Sequence, residues 1–158
     1  MITAAPSRGL PVGPADVAVM VASAAGQQSS AVREAVIRMP ACPERLGKIR
    51  RTARALLALW EVPEESRDDA EIIIAELAAN AVLHGRAHVD VALSKNEALL
   101  RITVTDHGSP RTGLPQHREN DGECGRGLLM VSRLASGVAI DRRNIGWSVH
   151  ASMRLANV

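Results

Sequence analysis

The sequence contains no phenylalanine, no tyrosine and only two tryptophans, Trp60 and Trp147. Its core must therefore come from Leu, Ile, Val, Ala and Met, and the aromatic platform on which single-stranded nucleic acid stacks is missing. An excess of charge is also missing. The 19 basic and 17 acidic residues leave a net charge of +2, and the arginines are scattered, which is no nucleic-acid footprint. The one basic cluster, "KIRRTAR" from Lys48 to Arg54, reads as the solvated face of a helix. Cysteine is scarce: Cys42 and Cys124 are far apart and belong to no metal-spaced set. They fit free thiols in a reducing cytoplasm, with a single disulfide as the alternative. No apolar run is long enough to span a membrane. Neither a Gly-x-Ser-x-Gly turn nor a Gly-x4-Gly-Lys-Ser/Thr loop occurs, so the chain carries neither the nucleophile elbow of a serine hydrolase nor a P-loop.

With 46% hydrophobic residues, 158 residues suit one compact domain. Residues 1–34 are rich in Ala, Gly, Pro and Ser and read as a flexible N-terminal extension. Within it, "VAVMVASAAG" has the look of a signal-peptide core. Asp16 at its edge, Arg8 as the only preceding base, and Pro6, Pro11 and Pro14 favour the extension over export. The domain is expected over residues 35–158. "AVIRMP" suits a short strand ended by Pro40. Leu46, Ile49, Ala53, Leu56, Leu57 and Trp60 recur at helical spacing behind Pro43, which suits a first helical position. A second helix runs to about His84, where Gly85 is placed to end it. "HVDVALS", "KNE" and "LLRITVTD" read as strand, turn and strand. The polar, Gly- and Pro-containing stretch from His107 to Gly125 is long for a connection inside a domain, and such loops carry function. "GRGLLMVSRLA" starts a helix from glycines, and "GVAIDR" and "GWSVHASMRL" close the chain as two strands. The expected class is α+β, a two-layer α/β sandwich with a mixed, mostly antiparallel sheet and helices on one face.

The second helix carries an unusual line of polar groups. Asp69, Glu76, Asn80 and His84 fall in one stripe, while Ile74, Leu77, Ala78 and Ala81 lie opposite. The stripe is either the polar edge of an amphipathic helix or the wall of a cleft. Ile72, Ile73 and Leu83 flank it, and a carboxylate among apolar neighbours needs partners. Asn in mid-helix also asks for one, because it is a poor helix former. The pair of histidines in "HGRAH", His84 and His88, resembles part of a zinc motif. Gly85 between them, the absence of a following Glu and the expected helix end argue against that reading.

Three pieces in order, "ELAANAVLHG", "DHGSP" and "GRGLLMV", resemble the ATP-binding domain shared by gyrase, heat-shock protein 90, histidine kinases and the mismatch-repair protein MutL. That domain is the GHKL type with the Bergerat fold. The likeness is greatest to the small anti-sigma-factor serine kinases of bacteria, especially actinobacterial single-domain forms, and it covers roughly residues 35–155. It implies ATP and Mg²⁺ as cofactors. Asn80 matches the asparagine whose side-chain oxygen helps hold the metal. Glu76 matches the proposed general base for an attacking hydroxyl, a serine's or water's. His84 would be a wall of the pocket at the helix end. Asp106 matches the aspartate that accepts a hydrogen bond from the adenine amino group, and Gly108 would let the backbone pass the base. Gly125 and Gly127 would fold the lid over the phosphates and start a helix whose first amides face the anion, with Arg126 adding charge. Ser148 matches a Thr or Ser that supports the aspartate end of the pocket. Two positions depart from the pattern. Pro110 replaces the second glycine after the aspartate, and Trp147 replaces a lysine common after the last-strand glycine. The expected partners are a sigma factor and an anti-anti-sigma protein, whose serine would be phosphorylated. No direct nucleic acid and no membrane are expected. Relatives of this type pair as homodimers, and no interface stripe is evident here. A non-catalytic ATP-binding interaction module and a detached histidine-kinase ATPase domain are the alternatives.

Overall fold

A computed structural model of the chain describes residues 18–24, 32–84, 87–107, 124–143 and 146–155. Strand β1 (Ala18–Ala24) pairs with β2 (Val32–Pro40), and a single 3₁₀ turn at Pro43–Arg45 leads into α1 (Leu46–Leu59). Then come α2 (Glu64–His84), β3 (His88–Lys95), β4 (Leu99–Asp106), α3 (Cys124–Leu134), β5 (Gly137–Arg142) and β6 (Trp147–Arg154). The strands form one six-stranded sheet in the order β1-β2-β3-β4-β6-β5, and all five ladders are antiparallel. This is the expected α+β class. Cys42 is a free thiol, and no helix of the described residues is long and apolar enough to cross a membrane.

Alternation along each strand makes one face of the sheet apolar. Ala35, Ile37 and Met39 of β2, Val89, Val91 and Leu93 of β3, Leu100, Ile102 and Val104 of β4, and Ala151 and Met153 of β6 are all buried. The register lays them side by side: Ile37 opposite Val91, Val91 opposite Val104, Ile102 opposite Ala151. Helix α2 covers this face. It packs on β3, β4 and β6, with α1 on one side of it and α3 on the other. Ile73, Ile74, Leu77, Ala78 and Ala81 of α2 face the sheet, joined by Ile49, Ala53 and Leu57 of α1 and Val131 of α3. Ile73, which flanks the polar stripe in sequence, is thus a core residue. Apart from Trp60, which is buried at the end of α1, aliphatic residues fill this layer, with small residues such as Ala53, Ala70 and Ala78 where helices meet sheet and one another.

Two local devices set the chain's path. The β3–β4 turn is closed by Asn96, whose Oδ1 accepts hydrogen bonds from the amides of Ala98 and Leu99 at 3.0 and 2.8 Å. At the end of α1 the amides of Glu61 and Val62 bond back to Ala58 and Leu57 at 3.0 Å each, with Glu61 at φ 56°. That is a left-handed helix stop, which lets Val62 re-enter the core.

Strand β1 lies inside the segment expected to be a flexible extension, of which residues 18–24 and 32–34 are described. Its sequence offers little periodicity because an edge strand beyond the helices has no buried face to encode. Val19, Met20 and Val21 are all exposed. At the other edge, every residue of β5 is exposed.

Candidate functional site

Helix α2 presents Glu76 and Asn80 one turn apart, both half-buried, on the side away from the core residues Ile74, Leu77, Ala78 and Ala81. The line ends at His84, the last residue of α2; its side chain lies outside the described residues, as does Gly108. Beside α2 stands α3, whose first turn contains Gly125, Arg126 and Gly127. Arg126 is exposed and Gly127 is buried. A Cβ on Gly127 would collide with Oε2 of Glu76, so only glycine at this position lets the carboxylate lie against the start of α3. The first turn of a helix carries unsatisfied amides and the positive end of the dipole. The fold therefore brings a carboxylate, an amide side chain and an anion-attracting helix end to one place.

Glu76 also borders open space. A groove of 480 Å³ is lined by Arg50 of α1, Asp68, Glu71, Ile72, Ala75 and Glu76 of α2, and Met130 of α3. Asn80 and Asp106 do not line it. Its rim is held by Arg54, which bridges Asp68 at 2.6 Å and Glu71 at 2.8 Å, and these pairs tie α1 to α2. The cluster expected as a solvated helix face thus contributes one residue to an interhelical bridge and one, Arg50, to the groove.

The second part of the site is the end of β4. Asp106 is its last residue and is 5% exposed. Helix α2 packs against this strand, so the stripe and the aspartate belong to the same side of the sheet. Gly146, just before β6, presses on Asp106: a Cβ there would strike the Asp106 carbonyl oxygen and lie within 2.6 Å of its Oδ1. Gly146 also has φ +76°, a conformation other residues avoid. Sequence reading did not single it out as a site residue, although a glycine at the entry to the last strand was the available signal. Gly146→Ala is expected to destabilise the chain by at least about 2 kcal/mol, lowering Tm by about 4–8 °C. An unchanged thermal unfolding midpoint would refute this close packing.

Ser148 pairs with Thr105, the residue before Asp106. It is buried, but its Oγ lies 2.9 Å from Oγ1 of Thr105, with which it is paired in register, and 3.5 Å from Nη1 of Arg143, which donates to it. Thr105 and Asp106 are consecutive on β4, so their side chains point to opposite faces. Ser148 therefore shares the face of Thr105. The neighbour on Asp106's side is Trp147. A one-residue difference in the last strand decides this, because strand periodicity is two.

The face that carries Ser148 has no helix among the described elements and is polar. Oγ1 of Thr103 meets Nδ1 of His150 at 3.0 Å. Arg38 grips Asp90 through Nε and Nη2, both at 2.7 Å, and His107 Nε2 lies 3.0 Å from Asp90. Burial pushes the Asp90 carboxyl up, but Arg38 and then His107 outweigh it, so the group is held below the usual carboxylate range. His88 is pushed down from its ordinary value, first by burial and then by the charges of His107 and Arg38. Sequence reading missed this cluster because its members come from β2, β3 and the residue that follows β4.

The site residues fit a magnesium nucleotide by their chemistry. Asn80 offers a neutral oxygen, and Glu76 an acceptor at a helix end. Asp106 is a buried carboxylate that as an ion can only accept, and Gly127 and Gly146 let the Glu76 carboxylate and the Asp106 backbone be approached closely.

Residues 39–153 match the family model of the histidine kinase-like ATPase domain. No curated protein matches the chain. Among solved structures, the histidine kinase domain from the blue-light activated histidine kinase of Erythrobacter litoralis EL346 is similar at 24% identity and a TM-score of 0.44, over 74% of this chain and 62% of that one. The chain thus spans less than two thirds of the length of that structure.

Proposed function

The chain belongs to the histidine kinase-like ATPase domain family, and on that premise we propose that it is an ATP-dependent serine kinase of the anti-sigma-factor type. It binds Mg-ATP, passes the γ-phosphoryl group to a serine of an anti-anti-sigma partner, and holds a sigma factor on an adjacent surface. One observation carries the kinase reading: Glu76 stands between the glycine turn of α3 and a surface groove. A hydroxyl on a protein partner can enter that groove and reach the carboxylate without passing through the core.

Each residue then has a physical task. Glu76 accepts the hydroxyl proton as the oxygen attacks the γ-phosphorus, and ADP leaves. The first amides of α3 face the transferred phosphoryl group, and Arg126, exposed on that turn, adds positive charge. Asn80 would hold Mg²⁺ through its side-chain oxygen, and the ion would supply positive charge to the phosphates. Asp106 selects adenine. The product phosphoserine carries about two negative charges.

The test is a thermal-shift titration of the purified chain with Mg-ATP, Mg-GTP and no ligand, followed by a radiolabel transfer assay with candidate partner proteins. ATP at about 100 times its Kd is expected to add about 2.7 kcal/mol of stability, and GTP at the same concentration little. Asn80→Ala is expected to make ATP binding insensitive to magnesium. Equal response to ATP and GTP, or none, overturns the nucleotide assignment. ATP binding without transfer to any serine would favour a non-catalytic interaction module.

A further inference from the structure

The sheet face opposite Asp106 holds three metal-ligating side chains that the nucleotide site does not use. His88 and Asp90 alternate on β3 and so project from the same face. His107 follows β4, and its amide donates to the carbonyl of His88 at 3.1 Å, which extends the ladder by one step and sets the two histidines side by side. Their rings stack with centroids 4.4 Å apart and planes inclined by 21°. His107 Nε2 lies 3.0 Å from Oδ2 of Asp90. One donor atom from each of the three residues lies within 4.8 Å of the other two, and all three residues are half-buried. His88 has no ring hydrogen bond among the described residues.

We propose that His88, Asp90 and His107 form a binding site for a divalent transition-metal ion, with zinc as the reference ion. Two imidazoles and a carboxylate are the donor set that borderline ions of this kind take, with water filling an open position. Metal–ligand bonds of about 2.0–2.2 Å at tetrahedral angles separate ligand atoms by about 3.3–3.6 Å. The 3.0 Å contact widens slightly and the longest separation closes by less than about 1.5 Å, which rotation of the imidazole rings accomplishes without moving a strand. Arg38 is the positioning residue. Its two 2.7 Å hydrogen bonds fix the Asp90 carboxylate, and such outer partners orient a ligand and tune the ion. The ion pins β3 to the end of β4, where the chain leaves the sheet. The site rests on none of the residues assigned to nucleotide, so the two readings stand or fall separately.

The test uses the full chain, stripped of metal by chelation and free of nucleotide. Zinc is titrated against a chromophoric chelator, and cobalt(II) replaces it for spectroscopy. The parent is expected to take up one equivalent of zinc, and cobalt to give the visible absorption of a low-coordinate site. His88→Gln and His107→Gln are each expected to weaken zinc by about 100-fold or more and Arg38→Gln by about 10-fold. His150→Gln, whose ring pairs with Asp141 at 3.0 Å on a neighbouring strand pair, is expected to leave affinity unchanged. Because a variant can misfold, cobalt-induced shifts of the histidine ring signals in the unmutated chain give a second readout. They should appear at His88 and His107 and not at His150. No stoichiometric uptake by the parent, an affinity in the His88→Gln and His107→Gln variants equal to the parent's, or shifts confined to other histidines overturns the proposal.

Discussion

Replacing Glu76 with Ala is expected to lower γ-phosphoryl transfer from Mg-ATP by about 10²–10⁴-fold and to leave ATP affinity nearly unchanged. A general base acts on the attacking hydroxyl, so its loss is felt in the transition state more than in ground-state binding. The local structure makes the test clean. Glu76 is only half-buried, its carboxylate ends against Gly127, and it borders a groove rather than the core. Truncation therefore removes a charge without opening a cavity among apolar side chains. Gly127→Ala is a companion test. Its added methyl group meets the far end of a flexible side chain, so the carboxylate must swing away while the fold stays intact. Transfer should fall in both variants and Tm should hold in both. Calorimetry for ATP and phosphate release or transfer by radiolabel decide the matter. Parallel loss of binding and transfer would make Glu76 a structural residue.

Asp106→Ala is expected to weaken ATP by about 10- to 100-fold, since a hydrogen bond to a charged group contributes about 1.5–3 kcal/mol and 1.4 kcal/mol is tenfold in affinity. The parent should prefer ATP strongly over GTP. An ionised carboxylate only accepts hydrogen bonds, the adenine amino group donates one, and guanine presents a carbonyl oxygen at that place. Asp106→Asn should reduce this discrimination, because the amide can donate to guanine. Burial sharpens the effect. Asp106 is 5% exposed, so an unmatched polar pair there is poorly rescued by water. Competition binding with the two nucleotides reads the ratio, and the ligand-free melting temperature separates recognition from folding. Equal affinity of the unmutated chain for ATP and GTP would remove the aspartate from the recognition of base.

What was legible in the sequence follows the range of the signals. Helix α2 announced itself through the apolar line Ile74, Leu77, Ala78 and Ala81, and the stripe of Glu76 and Asn80 was visible because both periodicities are local. The β3–β4 hairpin was legible from alternation and from "KNE", whose Asn96 closes the turn. Strand β1 was not legible. Its partner fixes it through backbone hydrogen bonds, and Val19, Met20, Val21 and Ala22, exposed to solvent, keep no pattern. Gly127 and Gly146 could be seen as glycines, but the reason for each is a contact with a side chain or carbonyl from another element.

Sequence alone determined the element types from β2 onward, the mainly aliphatic composition of the core and which face of α2 would be polar, because these follow from propensity and from spacing within one element. Tertiary structure alone decided three things. It placed Glu76 against Gly127 at the start of α3, it turned Ser148 to the face away from Asp106, and it gathered His88, Asp90 and His107 behind the sheet. Each depends on strand register and helix docking, which are chosen by burying side chains distant in the chain, and no local stretch of sequence carries that information.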